Sequence, residues 1–230
     1  MVQLQPSSST DIIYPESDGK PMADNTKQFR WIVTIKENLE WLYVNDVNVF
    51  IAGDLLWYPV EGDNKTTQAP DVMVVFGRPK GDRGSYQQWK EDHIPPQVVF
   101  EILSPSNTRA EMNRKLLFYD RYSVEEYYQY DPDRNILSGW VRYEGFLDLI
   151  ESIDQWVSPR LQIRFDLSQT ELCIYRPDNA PFLTYSEIAA QAEQAEKRAE
   201  QAEERAKQAE ERSTRLAERL KEIGIDPDQV

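Results

Sequence analysis

The sequence predicts an α/β (α+β) protein: a mixed β-sheet core flanked by helices, followed by a C-terminal coiled-coil helix. Three observations carry this. Asp71 to Gly77 and Gln97 to Ser104 are apolar at successive positions, the pattern of strands covered on both faces. Stretches of helical spacing stand before the first run and after the second. From Ile188 to Ile223, mostly small apolar residues recur at alternating steps of four and three.

Residues 1 to 28 are rich in Ser, Asp, Pro and Asn without an apolar period and are expected to form a flexible N-terminal arm. From Phe29, the residues Trp31, Ile32, Ile35, Leu39, Leu42 and Tyr43 fall on one helical face that should pack inward. Val47 to Ala52 and Leu55 to Val60 flank Gly53-Asp54, which predicts a hairpin of two antiparallel strands. Asp71 heads the first doubly apolar strand, directly after Pro70, at a position where a strand tolerates a missing donor. Arg78 to Pro96 reads as a long polar surface loop.

After Ser104-Pro105-Ser106 the period turns helical through about Tyr122, and Thr108 with Glu111 forms a capping box that opens this helix. Glu111 is therefore read as a cap before it is read as a catalyst. Lys115 shares a stripe with Phe118, Tyr119 and Tyr122, so its stem should lie along the core side of the helix. Glu125 to Tyr130 is expected as a strand that ends in the turn Asp131-Pro132-Asp133. Ile136 to Tyr143, Phe146 to Ile150, Leu161 to Phe165 and Leu172 to Tyr175 read as a meander that widens the sheet and covers one side. Its Trp and Tyr residues are read as core in preference to a base-stacking platform.

The core domain is thus expected over 29–183, the coiled-coil helix over 184–224 and a short tail over 225–230. Within the helix, Glu193 and Lys197, Glu203 and Lys207, and Glu211 and Arg215 are opposite charges four apart. The seam is nearly all Ala until its last heptads, so pairing buries little area for each residue. A homo-oligomer or partner helix is expected, the helix stopping at Gly224 before Pro227.

Composition excludes several classes. A formal charge of −14 opposes broad attraction to nucleic acid or an anionic membrane, and the tail from Glu187, with 12 acidic and 8 basic residues, does not account for it. Nucleic-acid binding therefore requires a local basic groove or bound cations. Cys173 is the one cysteine, so an intramolecular disulfide and a cysteine-rich zinc module are ruled out. With no apolar run long enough for a bilayer and a polar start to the sequence, a cytoplasmic location is expected, with no membrane partner. His93, the only histidine, lies in the Pro-rich loop, which disfavours histidine-metal and Ser-His chemistry. A Gly-rich phosphate loop is absent, and Ser104 and Ser106 read as turn residues.

Glu101 lies within an otherwise apolar strand, where a carboxylate has to be neutral, paired or holding a metal. If the strands carrying Asp71 and Glu101 are neighbours, both carboxylates can converge on a hard divalent cation such as Mg²⁺. Lys115, on the following helix, would orient or deprotonate a water beside it. This is the equipment for phosphodiester hydrolysis.

Pro70-Asp71, the 29 residues between Asp71 and Glu101, the run Glu101-Ile-Leu-Ser-Pro-Ser106, Lys115-Leu-x-x-Tyr119 and Glu126-Tyr-Tyr-x-x-Asp131-Pro132 together resemble the Uma-type restriction endonucleases of the PD-(D/E)XK nuclease superfamily. Gly224-Ile225-Asp226-Pro227 resembles the end of the coiled coil that this family often carries. The resemblance covers about Phe29 to Pro177. It implies a restriction-endonuclease-like core in which Asp71, Glu101 and the backbone carbonyl of Ile102 bind Mg²⁺, or Mn²⁺ in its place, with DNA as the nucleic-acid substrate. The superfamily Lys two positions after the Glu is replaced by Leu103, and Lys115 is the residue implied in its stead. A Glu from the first helix sometimes joins such sites, which makes Glu37 and Glu40 candidates. A basic rim from Arg78, Lys80, Arg109 and Arg114 would favour this enzyme. An acidic or apolar rim would favour the alternative, a non-catalytic protein of nuclease fold that assembles partners through its coiled coil.

Overall fold

A computed structural model describes residues 12–19 and 21–222, and the chain divides between Phe182 and Leu183 into two units. In the first, helix α1 (Thr26–Leu42) is followed by β1 (Val49–Ala52), β2 (Trp57–Tyr58), β3 (Val72–Phe76), β4 (Tyr86–Gln87) and β5 (Val98–Ile102). Helix α2 (Arg109–Arg121) leads to β6 (Glu126–Asp131), β7 (Ile136–Tyr143), β8 (Phe146–Leu149), β9 (Arg164–Asp166) and β10 (Cys173–Tyr175). Six strands form one mixed sheet in the order β1-β3-β5-β6-β7-β8. Within this sheet only β5 and β6 pair in parallel, and α2 is the crossover their parallel sense requires.

The two faces of the sheet are covered as the doubly apolar runs demand. Val72, Val74, Val98, Phe100, Tyr128 and Tyr130 pack with Trp31, Ile32, Ile35 and Leu39 of α1, joined by Phe165 and Ile174 of the β9–β10 ribbon. Met73, Val75, Val99 and Tyr127 face the other way, toward Trp57, Tyr86 and Tyr119. Since neighbours along a strand alternate faces, Asp71 and Glu101 belong to this second, α2-covered side. Gly139 is held against Tyr128, Ile150 and Ile153 so closely that a Cβ would collide with them.

Three expectations change. Gly53-Asp54 is not a hairpin turn: β1 pairs antiparallel with β3, while β2 leaves the sheet to pair in parallel with β4. The amide of Asp54 donates to the carbonyls of Pro70 and Asp71, so this turn is tied to the head of β3. The Arg78–Pro96 segment is not all surface, because β4 sits within it and Tyr86 is fully buried, donating its hydroxyl to the Ile94 carbonyl. The arm is shorter than expected, since α1 opens at Thr26 and the preceding residues make defined contacts. Tyr14 packs on Tyr58 and Trp89, and Tyr58 donates to the Pro15 carbonyl. Isolated aromatic anchors of this kind leave no period to read. Residues 1–11 of the expected arm lie outside the described residues.

The widening meander is realised by β7 and β8, and β9–β10 make a separate ribbon on the α1 side. Of the meander's Trp and Tyr residues, Trp140 packs on the second core as expected and Tyr175 is half-buried, but Tyr143 at the end of β7 is exposed. Among the described residues no helix is long and apolar enough to cross a membrane.

The second unit is helix α3 (Tyr185–Glu222), opened by Thr184, whose Oγ1 accepts the Glu187 amide while Glu187 Oε2 accepts the Thr184 amide. Its 38 residues extend about 57 Å at 1.5 Å each. Glu193 pairs with Lys197 and Glu211 with Arg215, whereas Glu203 and Lys207 form no ion pair. The seam from Ile188 to Leu216 is exposed along its length. Ile223, the expected stop at Gly224 and the Gly-Ile-Asp-Pro stretch lie outside the described residues.

Candidate active site

β3 and β5 run antiparallel with Val72 opposite Phe100, so the next pair outward is Asp71 and Glu101. Directly opposed residues share a face, with Cβ atoms about 4.5–5.5 Å apart. Asp71 Oδ2 accepts the Ile102 amide at 2.6 Å, which ties the head of β3 to the end of β5. From α2, Lys115 Nζ donates to Glu101 Oε2 at 2.7 Å, and the fully buried Tyr119 donates its hydroxyl to Glu101 Oε1. Both oxygens of Glu101, itself only 2% exposed, are therefore engaged by one helix. Thr108 sets that helix by accepting the Glu111 amide, the cap its sequence predicts. Lys115 and Tyr119 lie one turn apart and so point the same way.

The electrostatics follow from this crowding. Burial pushes the Asp71 carboxyl well above the usual carboxylate range and Glu101 adds to the rise, while Lys115 and the Ile102 amide oppose it. For Lys115, burial favours the neutral amine, but Glu101 and Asp71 outweigh burial and hold its pKa above the usual lysine value. Lys115 is therefore an ammonium at physiological pH. Burial likewise pushes the Tyr119 phenol well above its usual range, with Glu101 next in effect, so Tyr119 remains a donor.

The two carboxylates and Lys115 line a cavity of about 700 Å³, together with Gln28, Asp18, Asp24 and Asp54. Gln28 Nε2 donates to the Ile102 carbonyl at 2.8 Å, and Gln28 Oε1 accepts the Asp24 amide. Asp24 in turn accepts hydrogen bonds from the hydroxyls of Ser104, at 2.5 Å, and Ser106. The two serines thus hold the turn after β5, as their sequence context suggests. Asp54 adopts a left-handed backbone with φ of 49°. Its carboxyl is raised by burial and by Asp18, with Lys115 opposing and Glu101 adding.

Gln28 replaces the glutamate expected from the first helix. Glu37 pairs with Lys36 and Glu40 with Lys80, and neither lines the cavity, being about 13 and 18 Å farther along the helix axis than Gln28. Gln28 lies in the polar stretch that reads as an arm, without an apolar period to mark it. The signal that finds it is Asn25-x-x-Gln28, a helix-opening pattern in which Asn25 accepts the Gln28 amide. Of the expected basic rim only Arg114 lines the cavity, since Arg78 pairs with Glu91 and Asp92, Lys80 pairs with Glu40, and Arg109 lies elsewhere.

The family model "Putative restriction endonuclease" (Uma2) matches residues 24–170. The chain belongs to the Uma2 family. The match spans Gln28, Asp71, Glu101, Ile102 and Lys115. Among solved structures the chain is similar to a putative nuclease belonging to DUF820 from Anabaena variabilis ATCC 29413, at 15% identity over 61% of this chain and 74% of that one, with a TM-score of 0.45. None of the curated proteins compared with it matches.

Divalent metals are general in restriction-endonuclease-like families, and the donors present in this Uma2 chain fit one. All are hard oxygens, two from carboxylates and one from the Ile102 carbonyl, and the mutual repulsion of Asp71 and Glu101 in a buried setting is what a dication relieves. Among the described residues no group of three or more His, Cys, Asp or Glu side chains is arranged to hold a metal ion. The set implied by the resemblance needs only two side chains and a carbonyl.

Proposed function

We propose that this chain is a Mg²⁺-dependent endonuclease that hydrolyses DNA phosphodiester bonds, with Asp71, Glu101 and the Ile102 carbonyl holding the cation. The observation that carries the reading is the facing pair Asp71 and Glu101 with the Lys115 ammonium on Glu101. Membership of a family whose description reads "Putative restriction endonuclease" agrees with it. Mn²⁺, with the same oxygen preference, is the expected substitute. A cation bound there supplies positive charge against which the negative charge developing on the phosphodiester is stabilised.

The chain's own groups have definite tasks in this scheme. Asp71, whose pKa is raised by burial and then by Glu101, would bind the cation as a carboxylate. Tyr119 and Lys115 fix the rotamer of Glu101, and Gln28 orients the Ile102 carbonyl. Because Lys115 stays protonated, it acts by donating to the attacking water or to a phosphate oxygen, not by removing a proton. A homo-oligomer formed by pairing α3 with a second copy accompanies the proposal, supported by the exposed heptad seam. So does a cytoplasmic location, since the single cysteine calls for no oxidising compartment.

One observation favours the second reading, a non-catalytic assembly protein. The cavity lining carries Asp18, Asp24, Asp54 and Glu111 beyond the central pair, against Arg114 and Lys115. Plasmid and branched-DNA nicking in Mg²⁺ or Mn²⁺ separates the two. The proposal expects nicking by the intact chain and none by Glu101→Gln or Asp71→Asn. Equal residual activity in all three would leave only the assembly role.

A further inference from the structure

We propose that a groove beside the active-site cavity, lined by Lys65, Arg114 and Arg121, holds the backbone phosphates of the DNA strand that enters the site. The inference rests on the nuclease reading and gives it a substrate path. A protein of net charge −14 needs a local basic surface to hold a polyanion. In the first unit twelve of the seventeen described lysines and arginines are paired with a carboxylate. Those that form no ion pair are Lys65, Lys90, Arg109, Arg114 and Arg121. Three of the five line one groove of about 370 Å³.

The helix that supplies Lys115 to Glu101 builds this groove with an adjoining face, which shares Phe118 and Tyr122 with the Lys115 stripe. Arg114, Leu117, Phe118, Arg121 and Tyr122 recur at steps of three, four, seven and eight from Arg114, so they form one stripe along α2. Arg114 and Arg121 are two turns apart, about 10 Å along the axis, close to the rise of three nucleotides of a B-form strand. Lys65 faces them from the loop before β3. Its neighbour Asp63 spends its oxygens on the amides of Lys65 and Thr66 and on the Thr66 hydroxyl, which leaves the Lys65 ammonium unpaired.

Two further features select a nucleic acid over other polyanions. Leu117 is 67% exposed between the two arginines and adjoins half-buried Phe118 and Tyr122, an apolar floor suited to sugars and bases between phosphates. Gln68 and Arg114 line both this groove and the cavity of Asp71 and Glu101. A strand lying on the groove therefore continues directly into the carboxylate pair.

The test is the salt dependence of binding, measured with the full chain in EDTA by fluorescence anisotropy of a labelled duplex DNA and an RNA of the same sequence. Each lost phosphate contact lowers the slope of log K against log salt by about 0.9 on duplex DNA. The triple variant Lys65→Ala, Arg114→Ala, Arg121→Ala should lower the slope by about 2.7 and weaken binding about tenfold or more. Lys90→Ala with Arg109→Ala, which removes unpaired charge elsewhere, should leave the slope nearly unchanged. No DNA binding by the intact chain, an unchanged slope in the triple variant, an equal fall in the control, or dependence on the three residues for RNA alone would each overturn the proposal. Cation titration of the same preparations separates this test from that of the nuclease reading. A chain that binds no cation yet binds DNA through the three residues loses the nuclease reading and keeps the groove. Cation binding and nicking, with DNA affinity indifferent to the three residues, loses the groove alone.

Discussion

Lys115 Nζ lies 2.7 Å from Glu101 Oε2, joining the second helix to the buried strand β5 across 14 residues of sequence. The pair is nearly solvent-free, and Asp71 stands opposite Glu101 on the neighbouring strand. One ammonium thus serves two carboxylates. Burial raises the Asp71 pKa and this imbalance adds to the rise, and the imbalance is what a bound dication would remove.

Asp71→Asn should stabilise the cation-free protein. A carboxyl whose folded pKa is raised contributes stability that is present below its unfolded pKa and lost as pH rises through the folded one. In EDTA at neutral pH the variant should be more stable by on the order of 1 kcal/mol, an advantage that fades as pH falls below the usual carboxylate range. Thermal melting of both proteins against pH checks the sign. Asn keeps an oxygen to accept the Ile102 amide, so the comparison isolates the charge.

Lys115→Gln removes the ammonium while leaving a polar group of similar reach. Nicking should fall about 10²–10³-fold, the usual cost of one donor aimed at developing charge, with cation affinity unchanged or higher. Lys115→Arg should recover part of the rate, since Arg also keeps its proton. Single-turnover rates at saturating cation read the difference.

Gln28→Glu exchanges the donor on the Ile102 carbonyl for a further carboxylate beside Asp71 and Glu101. Without cation the buried oxygens then face one another, and stability should drop by about 1–3 kcal/mol. With cation the added ligand should tighten binding. Melting temperature with and without Mg²⁺ reads both effects, and the ligand-induced shift should exceed that of the unaltered protein.

The seam of α3 predicts a concentration-dependent oligomer. Ala199→Asp with Ala206→Asp puts like charge at the seam, so sedimentation should shift toward monomer. The fold of the first unit, followed by its melting, should be unaffected. An unaltered sedimentation profile in the double variant would remove the seam as an association surface.

Glu101 was legible because a lone carboxylate in an apolar strand has few physical excuses, and Asp71 because Pro70 and the following apolar run fix it at a strand head. Lys115 was legible from its stripe with Phe118, Tyr119 and Tyr122. Tyr119 lay in the same stripe, yet nothing in the spacing says that its hydroxyl meets Glu101, a contact made only when α2 packs on the sheet. Asp54 was obscured because Gly53-Asp54 looks like a hairpin turn, and only tertiary pairing sends β2 to β4 and leaves Asp54 beside β3. Gln28 was hidden by its polar surroundings. Its role depends on a carbonyl 74 residues away.

The most direct measurement is calorimetric titration of Mg²⁺ and Mn²⁺ into the intact protein and into Glu101→Gln, with folding of the variant verified by circular dichroism. Removing this partner leaves Lys115 with Asp71 alone and should cost about 2–4 kcal/mol of stability, so the variant is compared well below its melting temperature. The metal-site account predicts binding by the intact chain that strengthens as pH rises and Asp71 loses its proton, and loss of that binding in Glu101→Gln. No cation binding at millimolar concentration in the intact chain, or equal binding by both proteins, would contradict it and leave Glu101 a structural carboxylate paired with Lys115.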